Sequence, residues 1–265
     1  MEQNTQITKT SVDKLKAVLN TESVQEQFRN ALQENSGPFV ASVIDLYGSD
    51  EYLKQCDANQ VVMEALKAAT LKLPINKQLG FAYIVPYKSK GQQVPQFQLG
   101  YKGYIQLAMR TAQYKYLNAG MVFEGVEVKQ DLLTGSITFS GQPTSDKIIG
   151  YFAHMELLNG FTKSVYMTKE EVTKHAKRYS KSYGYDTSAW KTNFDEMAQK
   201  TTLRKLLSHY GIMSTEMISA FTSDKEDDAE ARVSNEVSME ANQDVIDVKP
   251  NEVTVEETEQ KGPGF

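Results

Sequence analysis

The sequence predicts an α+β protein: a helical N-terminal segment, a central antiparallel β-meander and hairpin packed by helices, and a disordered acidic C-terminal tail. Three observations carry that reading. Apolar residues recur at helical spacing up to about residue 71, short runs rich in β-branched and aromatic residues fill 81–166, and helical spacing returns over 169–210. Strand runs bracketed by helical runs, without strict alternation of the two, indicate helices on one face of an antiparallel sheet.

Taken in order, Val12, Leu15, Val18 and Leu19 form a first helical series, and a second, Phe28 and Leu32, ends at Gly37-Pro38. A helix over 57–71 puts Val61, Ala65 and Ala68 or Ala69 on one face and stops before Pro74. Residues 81–88 and 96–99 are β-type runs separated by a turn containing Gly91, with Pro86 marking an edge strand or a bulge. Helical spacing recurs over 101–113. Strands follow at 117–123, 126–129, 137–140 and 148–158, and 161–166 adds one more. Two further helices cover 169–181 and 188–210, the second ended by Gly211. Beyond Phe221 there is no sustained period and few aromatics, so the chain cannot bury enough surface to offset its ordering entropy.

Charge divides the chain along the same lines. Residues 1–60 hold 5 basic and 9 acidic residues, 61–222 hold 20 and 12, and 223–265 hold 4 and 13. A net charge of −5 therefore conceals a basic core of +8 between acidic ends. The expected organisation is a helical region at 1–60 serving subunit assembly, a basic α+β nucleic-acid-binding core at 61–222, and an acidic tail at 223–265.

Several classes of function are excluded. No apolar run approaches the ~20 residues of a membrane helix, and the polar start lacks the layout of a signal peptide, so the cytoplasm is the default address. Cys56 is the only cysteine, and His154, His175 and His209 are scattered, so neither a disulfide nor a zinc site is expected. The Gly120–Gly125 spacing is followed by Val126-Glu127 where a phosphate-binding loop needs Lys-Ser/Thr, which excludes an ATP-driven motor. Glu127-Val-Lys129 echoes half of a metal-dependent nuclease site, but no aspartate lies between Asp57 and Asp131 and only Glu124 offers a second carboxylate. No cofactor, metal or catalytic residue is expected.

Three constellations remain. Thr168 and Glu171 form a capping box that fixes the register of the helix over 169–181. In that register Val172, Ala176, Tyr179 and Tyr183 share one side, while Lys174, Lys177, Arg178 and Lys181 gather about half a turn away. A solvated face is the plain alternative, but of the acidic i, i+4 partners that usually accompany one, only Glu170 is well placed. The next helix carries Lys191, Lys200, Arg204 and Lys205 around an apolar stripe. Its Trp190 has two readings, a stacking platform for a base or packing of the helix end.

The third constellation spans residues 77–116, where Lys77, Lys88, Lys90, Lys102, Arg110 and Lys115 alternate with Tyr83, Tyr87, Tyr101, Tyr104, Tyr114 and Tyr116. Single strands are held in this way, cations tracking phosphates and rings offering faces to unpaired bases. Tyrosines also fill strands for packing alone. Within the helix over 101–113, Lys102, Gln106 and Arg110 fall away from the apolar face of Tyr101, Ile105 and Ala108, and Lys102 and Arg110 are the preferred contacts.

Three stretches resemble the RecT family of phage annealing proteins. They are Gly80–Lys88 leading to Gln98-Leu-Gly-Tyr-Lys-Gly-Tyr-Ile-Gln-Leu-Ala-Met-Arg110, then Met167–Val172, then Ser188–Leu207, within a matching region of about residues 60–212. After Arg110 the family often continues Ser-Gly, where this chain has Thr111-Ala112. The resemblance implies ATP-independent annealing of single-stranded DNA, a homo-oligomeric ring or helical filament, and phage or prophage origin in a bacterial cell. It also implies a partner 5′–3′ exonuclease, with a host single-strand-binding protein as a further candidate. Tyr101-Lys102 and the helix from Trp190 to Arg204 carry over as DNA-contacting elements. Two other readings stay open: a protein that protects single strands without annealing them, and a phage structural or regulatory protein whose basic face binds an acidic partner.

Overall fold

A computed structural model of the protein describes residues 10–89, 91–180, 182–186 and 188–224. The readings on Lys90, Lys181 and the acidic tail beyond Asp224 lie outside the described residues. The chain is α+β, as its pattern predicts. Helices α1 (Ser11–Leu19), α2 (Glu22–Leu32), α3 (Ser36–Ser49) and α4 (Ala58–Thr70) precede a hairpin of β1 (Ala82–Ser89) and β2 (Gln92–Leu99). Then come α5 (Tyr101–Arg110), β3 (Tyr114–Phe123), β4 (Glu127–Gln130), β5 (Ile137–Ser140), β6 (Ile148–Leu157) and β7 (Thr162–Thr168). Helices α6 (Lys169–Tyr179), α7 (Ala189–Thr192), α8 (Phe194–Tyr210) and α9 (Thr215–Ser223) follow.

Helix α2 ends at Gln33, in the left-handed region at φ +52°, and not at Gly37-Pro38. Gly37 and Pro38 instead lie in the first turn of α3, where a missing backbone N–H costs nothing. Helix α3, which the sequence pattern does not reveal, buries Phe39, Val43, Leu46 and Tyr47, with the Phe39 ring 5.8 Å from that of Phe28. Helix α4 starts where expected. The Asp57 carboxylate accepts from the N–H groups of Asn59 and Gln60, and Val61, Ala65, Ala68 and Ala69 face the core. Glu64 is buried beside them. Its carboxylate takes the Lys67 ammonium at 2.7 Å and the Phe97 N–H of β2 at 2.8 Å, tying the helical segment to the hairpin.

The β1–β2 ribbon runs from Ala82 opposite Leu99 to Ser89 opposite Gln92, with Pro86 facing Pro95. Each strand of a two-stranded ribbon has a free edge, so the prolines break no ladder. In the larger sheet the order is β3–β6–β7, while β4 and β5 pair only with each other as a ribbon inserted between β3 and β6. Gly125 at φ +95° and Gly141 at φ +84° turn the chain into and out of that ribbon, and a Cβ on Gly141 would stand 2.8 Å from the Gly125 carbonyl oxygen. Phe139 of β5 packs on Phe152 and Tyr166, ring centroids 5.3 and 6.3 Å away.

The opposite sheet face carries the core. Tyr151, Ala153, Met155 and Leu157 alternate inward along β6, against Leu203, Leu206 and Leu207 of α8 and a smaller cluster of Met167, Val172, Ala176 and Trp190. The main cluster is continuous from Leu15 to Ala220, so α1–α4 share it with the sheet. The single helix expected over 188–210 breaks at Asn193 (φ −139°, ψ 49°) into α7 and α8. Helix α9 was not expected. It buries Met217 and Ala220, with its N-cap Ser214 accepting from the Met217 N–H.

Candidate nucleic-acid interface

The glycine-tyrosine-lysine-glycine segment at the start of α5 is shaped by close backbone approach. A Cβ on Gly100 would lie 2.1 Å from the Gly80 carbonyl oxygen, and one on Gly103 would lie 2.2 Å from that of Phe81. The two glycines let the helix rest on the backbone entering β1, where the Gly100 N–H donates to the Phe81 carbonyl at 2.9 Å. Tyr101 and Lys102 are thereby presented at the helix start. Lys102 is exposed, its stem lies over Gly80, and its ammonium stands 6.0 Å from the Tyr101 ring centroid. Tyr83 is half-buried next to it. Burial raises the Tyr83 hydroxyl pKa, as does the Glu196 carboxylate, while the Lys200 ammonium lowers it. Helix α5 packs on α8.

Beside this corner is a buried charged cluster. Asp224, 2% exposed, accepts from the Tyr104 hydroxyl at 2.9 Å and from the Lys200 ammonium at 3.0 Å through the same oxygen, Oδ2. Arg204 donates to the Tyr104 hydroxyl at 2.8 Å, and its guanidinium lies 4.9 Å from the Phe221 ring. Phe221 meets the Tyr104 ring edge-on at 4.9 Å. Lys200 and Arg204, expected as open cations, are therefore engaged: Lys200 is 5% exposed and Arg204 is half-buried. Sequence reasoning did not find Asp224, which reads there as the first acid of the tail.

The α6 capping box forms as predicted, with Thr168 and Glu171 bonded reciprocally and Val172 and Ala176 buried. On its outer face Lys174 pairs with Glu170 at 2.8 Å, which raises the lysine pKa. Lys177 is exposed with no ion pair among the described residues, and the Arg178 guanidinium is 5.2 Å from the Tyr179 ring. Lys191, Lys205 and Gln106 are exposed. Trp190 takes the packing reading. It is 4% exposed, with the Tyr183 and Phe194 rings at 6.3 and 5.7 Å, and offers no open face to a base.

Three other expected contacts carry partners. The Arg110 guanidinium donates to the carbonyls of Leu71 and Lys72 at 2.6 and 3.0 Å, supplying what the end of α4 lacks. Lys77 pairs with Asp50 at 2.8 Å; burial raises the Asp50 pKa, but that ammonium and two backbone N–H groups outweigh it and hold the carboxyl below its usual value. Lys115 pairs with Glu156 at 2.7 Å and lies over the Tyr116 ring at 5.3 Å. Lys88 lines an open groove of about 1010 Å³ beside the β1–β2 turn, together with Lys14, Lys54 and the exposed Tyr52 of the helical segment. Those three were not among the expected contacts, because the N-terminal region reads as acidic overall. As for nuclease chemistry, Glu124 is taken by Lys147 at 2.6 Å and by Ser145 at 3.0 Å.

The RecT family model matches residues 37–238. An uncharacterized protein of Bacillus subtilis (strain 168), YqaK, is 43% identical over 238 residues, covering 89% of this chain and 80% of its own length. Protein RecT of Escherichia coli (strain K12) is 29% identical over 163 residues, covering 59% of this chain and 60% of its own length. The family match begins within α3 and takes in every described element that follows.

Proposed function

The chain belongs to the RecT family, and from that premise we propose that it binds single-stranded DNA and anneals complementary strands without ATP, as a ring or filament of many copies. Family membership supports the coarser statement, a single-strand annealing protein of recombination. The observation that carries the finer one is the β1–α5 corner, where an exposed lysine sits beside the rings of Tyr83 and Tyr101. Lys177, Arg178, Lys191 and Lys205 add exposed positive charge on α6, α7 and α8.

In this reading the cations hold one strand by its phosphates and leave its bases open, so a second strand can test pairing. Pairing itself supplies the specificity, and the protein does no covalent chemistry. Assembly follows from the repeating ligand, since a long strand is best held by many identical short sites. Its support on this chain is the β4–β5 turn, where Leu132 and Leu133 are 94% and 95% exposed, an apolar tip that a second copy would cover. A 5′–3′ exonuclease that makes the single strand and a host single-strand-binding protein are the proposed partners, with the acidic tail as their docking segment. Phage or prophage origin and a cytoplasmic address complete the reading.

Equilibrium binding of oligonucleotides tests it. Affinity should be indifferent to base sequence, and log K should fall against log salt with a slope of about −0.7 per phosphate neutralised. A flat salt response would remove the cationic surface from the account, and binding confined to one sequence would remove the annealing role.

A further inference from the structure

Building on the reading of a ring or filament of many copies, we propose that the β4–β5 tip of one copy inserts Leu132 and Leu133 into a groove between α2, α3 and the segment after α4 of the next. The tip is shaped to hold two apolar side chains in water. One Asp131 oxygen, Oδ1, accepts from the N–H groups of Leu133 and Thr134 and from the Thr134 hydroxyl, and Gly135 turns the chain back at φ +65°. The Lys163 ammonium of β7 donates to the Thr134 carbonyl at 2.8 Å and ties the turn to the sheet. Leu132 and Leu133 are left 94% and 95% exposed, apolar area that folding does not bury and association can.

The groove has the complementary chemistry. Leu32, Phe39, Leu73 and Ile75 line it, and its volume of about 400 Å³ is that of a site enclosing a small organic group, so two leucine side chains can enter. Two chain reversals border it, at Gln33 and Lys72, both at φ +52°, which makes it a feature of the backbone and not of movable side chains. Charge agrees as well. The exposed Lys72 at the groove has no ion pair among the described residues, and at the tip the second Asp131 oxygen, Oδ2, has no donor among them. With the leucines seated, these two groups complete an ion pair across the contact. Because Asp131 and Lys163 fix the tip where both leucines face solvent, the occupant comes from another copy. Tip and groove are different patches, so the contact is head to tail and repeats as a ring or an open filament, whereas a tip-to-tip contact would be two-fold and would turn alternate copies round. A single strand has one 5′–3′ direction. Identical sites along it require every copy to face the same way, which the head-to-tail contact provides.

Cross-linking of the full chain in solution tests the proposal. Leu133→Cys places a thiol at the tip and Ser42→Cys places one in the groove, in a chain whose own Cys56 is buried. With a short bismaleimide, the expected result is a cross-linked dimer when the two variants are mixed and none from either alone, with a ladder of larger species when one chain carries both substitutions. Cross-linking of Leu133→Cys to itself as readily as to Ser42→Cys would make the contact tip to tip and sink the proposal. Large particles in light scattering without the mixed product would overturn it too, while leaving assembly and annealing to other surfaces. A protein that stays a single copy with and without bound oligothymidylate would overturn both the proposal and the ring or filament. Ser42→Trp fills the groove from an exposed position and leaves the tip untouched. It should shrink the particles as far as Leu132→Glu with Leu133→Glu does, and the combination should shrink them no further; additive losses would mean that tip and groove meet different partners.

Discussion

At Gly103 a single added methyl group has nowhere to go, because its carbon would stand 2.2 Å from the Phe81 carbonyl oxygen and 2.8 Å from a Leu99 methyl. Gly103→Ala should therefore cost about 2–3 kcal/mol by forcing α5 off the entry to β1, and should weaken strand binding further by misplacing Lys102. A melting temperature equal to that of the parent would contradict the close packing. The segment around Gly103 stands out in the sequence through its resemblance, but the reason for its glycines does not, since it lies in the backbone of residues 80–81. Trp190 and Arg110 teach the same lesson in reverse. As residue types they suit nucleic acid, yet Trp190 is enclosed by Tyr183 and Phe194, seven and four positions away, and Arg110 caps α4 through Leu71, 39 positions away, a partner that no local pattern points to. Asp224 is the extreme case, 120 positions from the Tyr104 hydroxyl it accepts from.

Among the elements, those whose signals are local were legible. The α6 capping box, the Asp57 start of α4 and the strand runs from β1 to β7 all lie close to where periodicity and turn residues put them. Helix α3 was hidden because Gly37-Pro38 reads as a stop, although proline in a first helical turn is permitted. The pairing of β3 with β6 around the β4–β5 ribbon was also hidden, since register is decided by contacts across the sheet and not by the strands' own composition. The β4–β5 ribbon ends in an exposed apolar tip, Leu132 and Leu133. Its turn is fixed by Asp131, whose carboxylate accepts from the N–H groups of Leu133 and Thr134 at 2.9 and 2.7 Å, so the two leucines are held outward on a rigid tip. Leu132→Glu with Leu133→Glu should reduce particle size in light scattering and leave thermal stability within about 0.5 kcal/mol, as expected for exposed positions. An unchanged particle size would remove the ribbon from the assembly surface.

For the molecule as a whole, the charge pattern was legible and the shared core was not. The helical N-terminal region is expected to serve subunit assembly, and it also belongs to the core: Leu15, Leu19, Phe28, Val43, Tyr47 and Leu53 are each at most 1% exposed in a cluster that continues into the hairpin and sheet. Each such side chain contributes about 1.5–3 kcal/mol, so removing residues 1–60 should take away stability comparable to the 5–15 kcal/mol of a whole domain. The truncated chain should lose its cooperative thermal transition; a sharp transition near the parent's temperature would mean that the helices serve assembly alone. The central claim is that this basic core pairs DNA strands by charge and geometry, without nucleotide hydrolysis. Its most direct test is the annealing of two complementary labelled oligonucleotides without ATP, by the parent protein and by a folded variant carrying Lys174→Glu, Lys177→Glu, Arg178→Glu and Lys181→Glu. The account predicts annealing well above the spontaneous rate, unaffected by added ATP and largely lost in the variant; strands that are bound but no faster to pair, or that pair only when ATP is supplied, would contradict it.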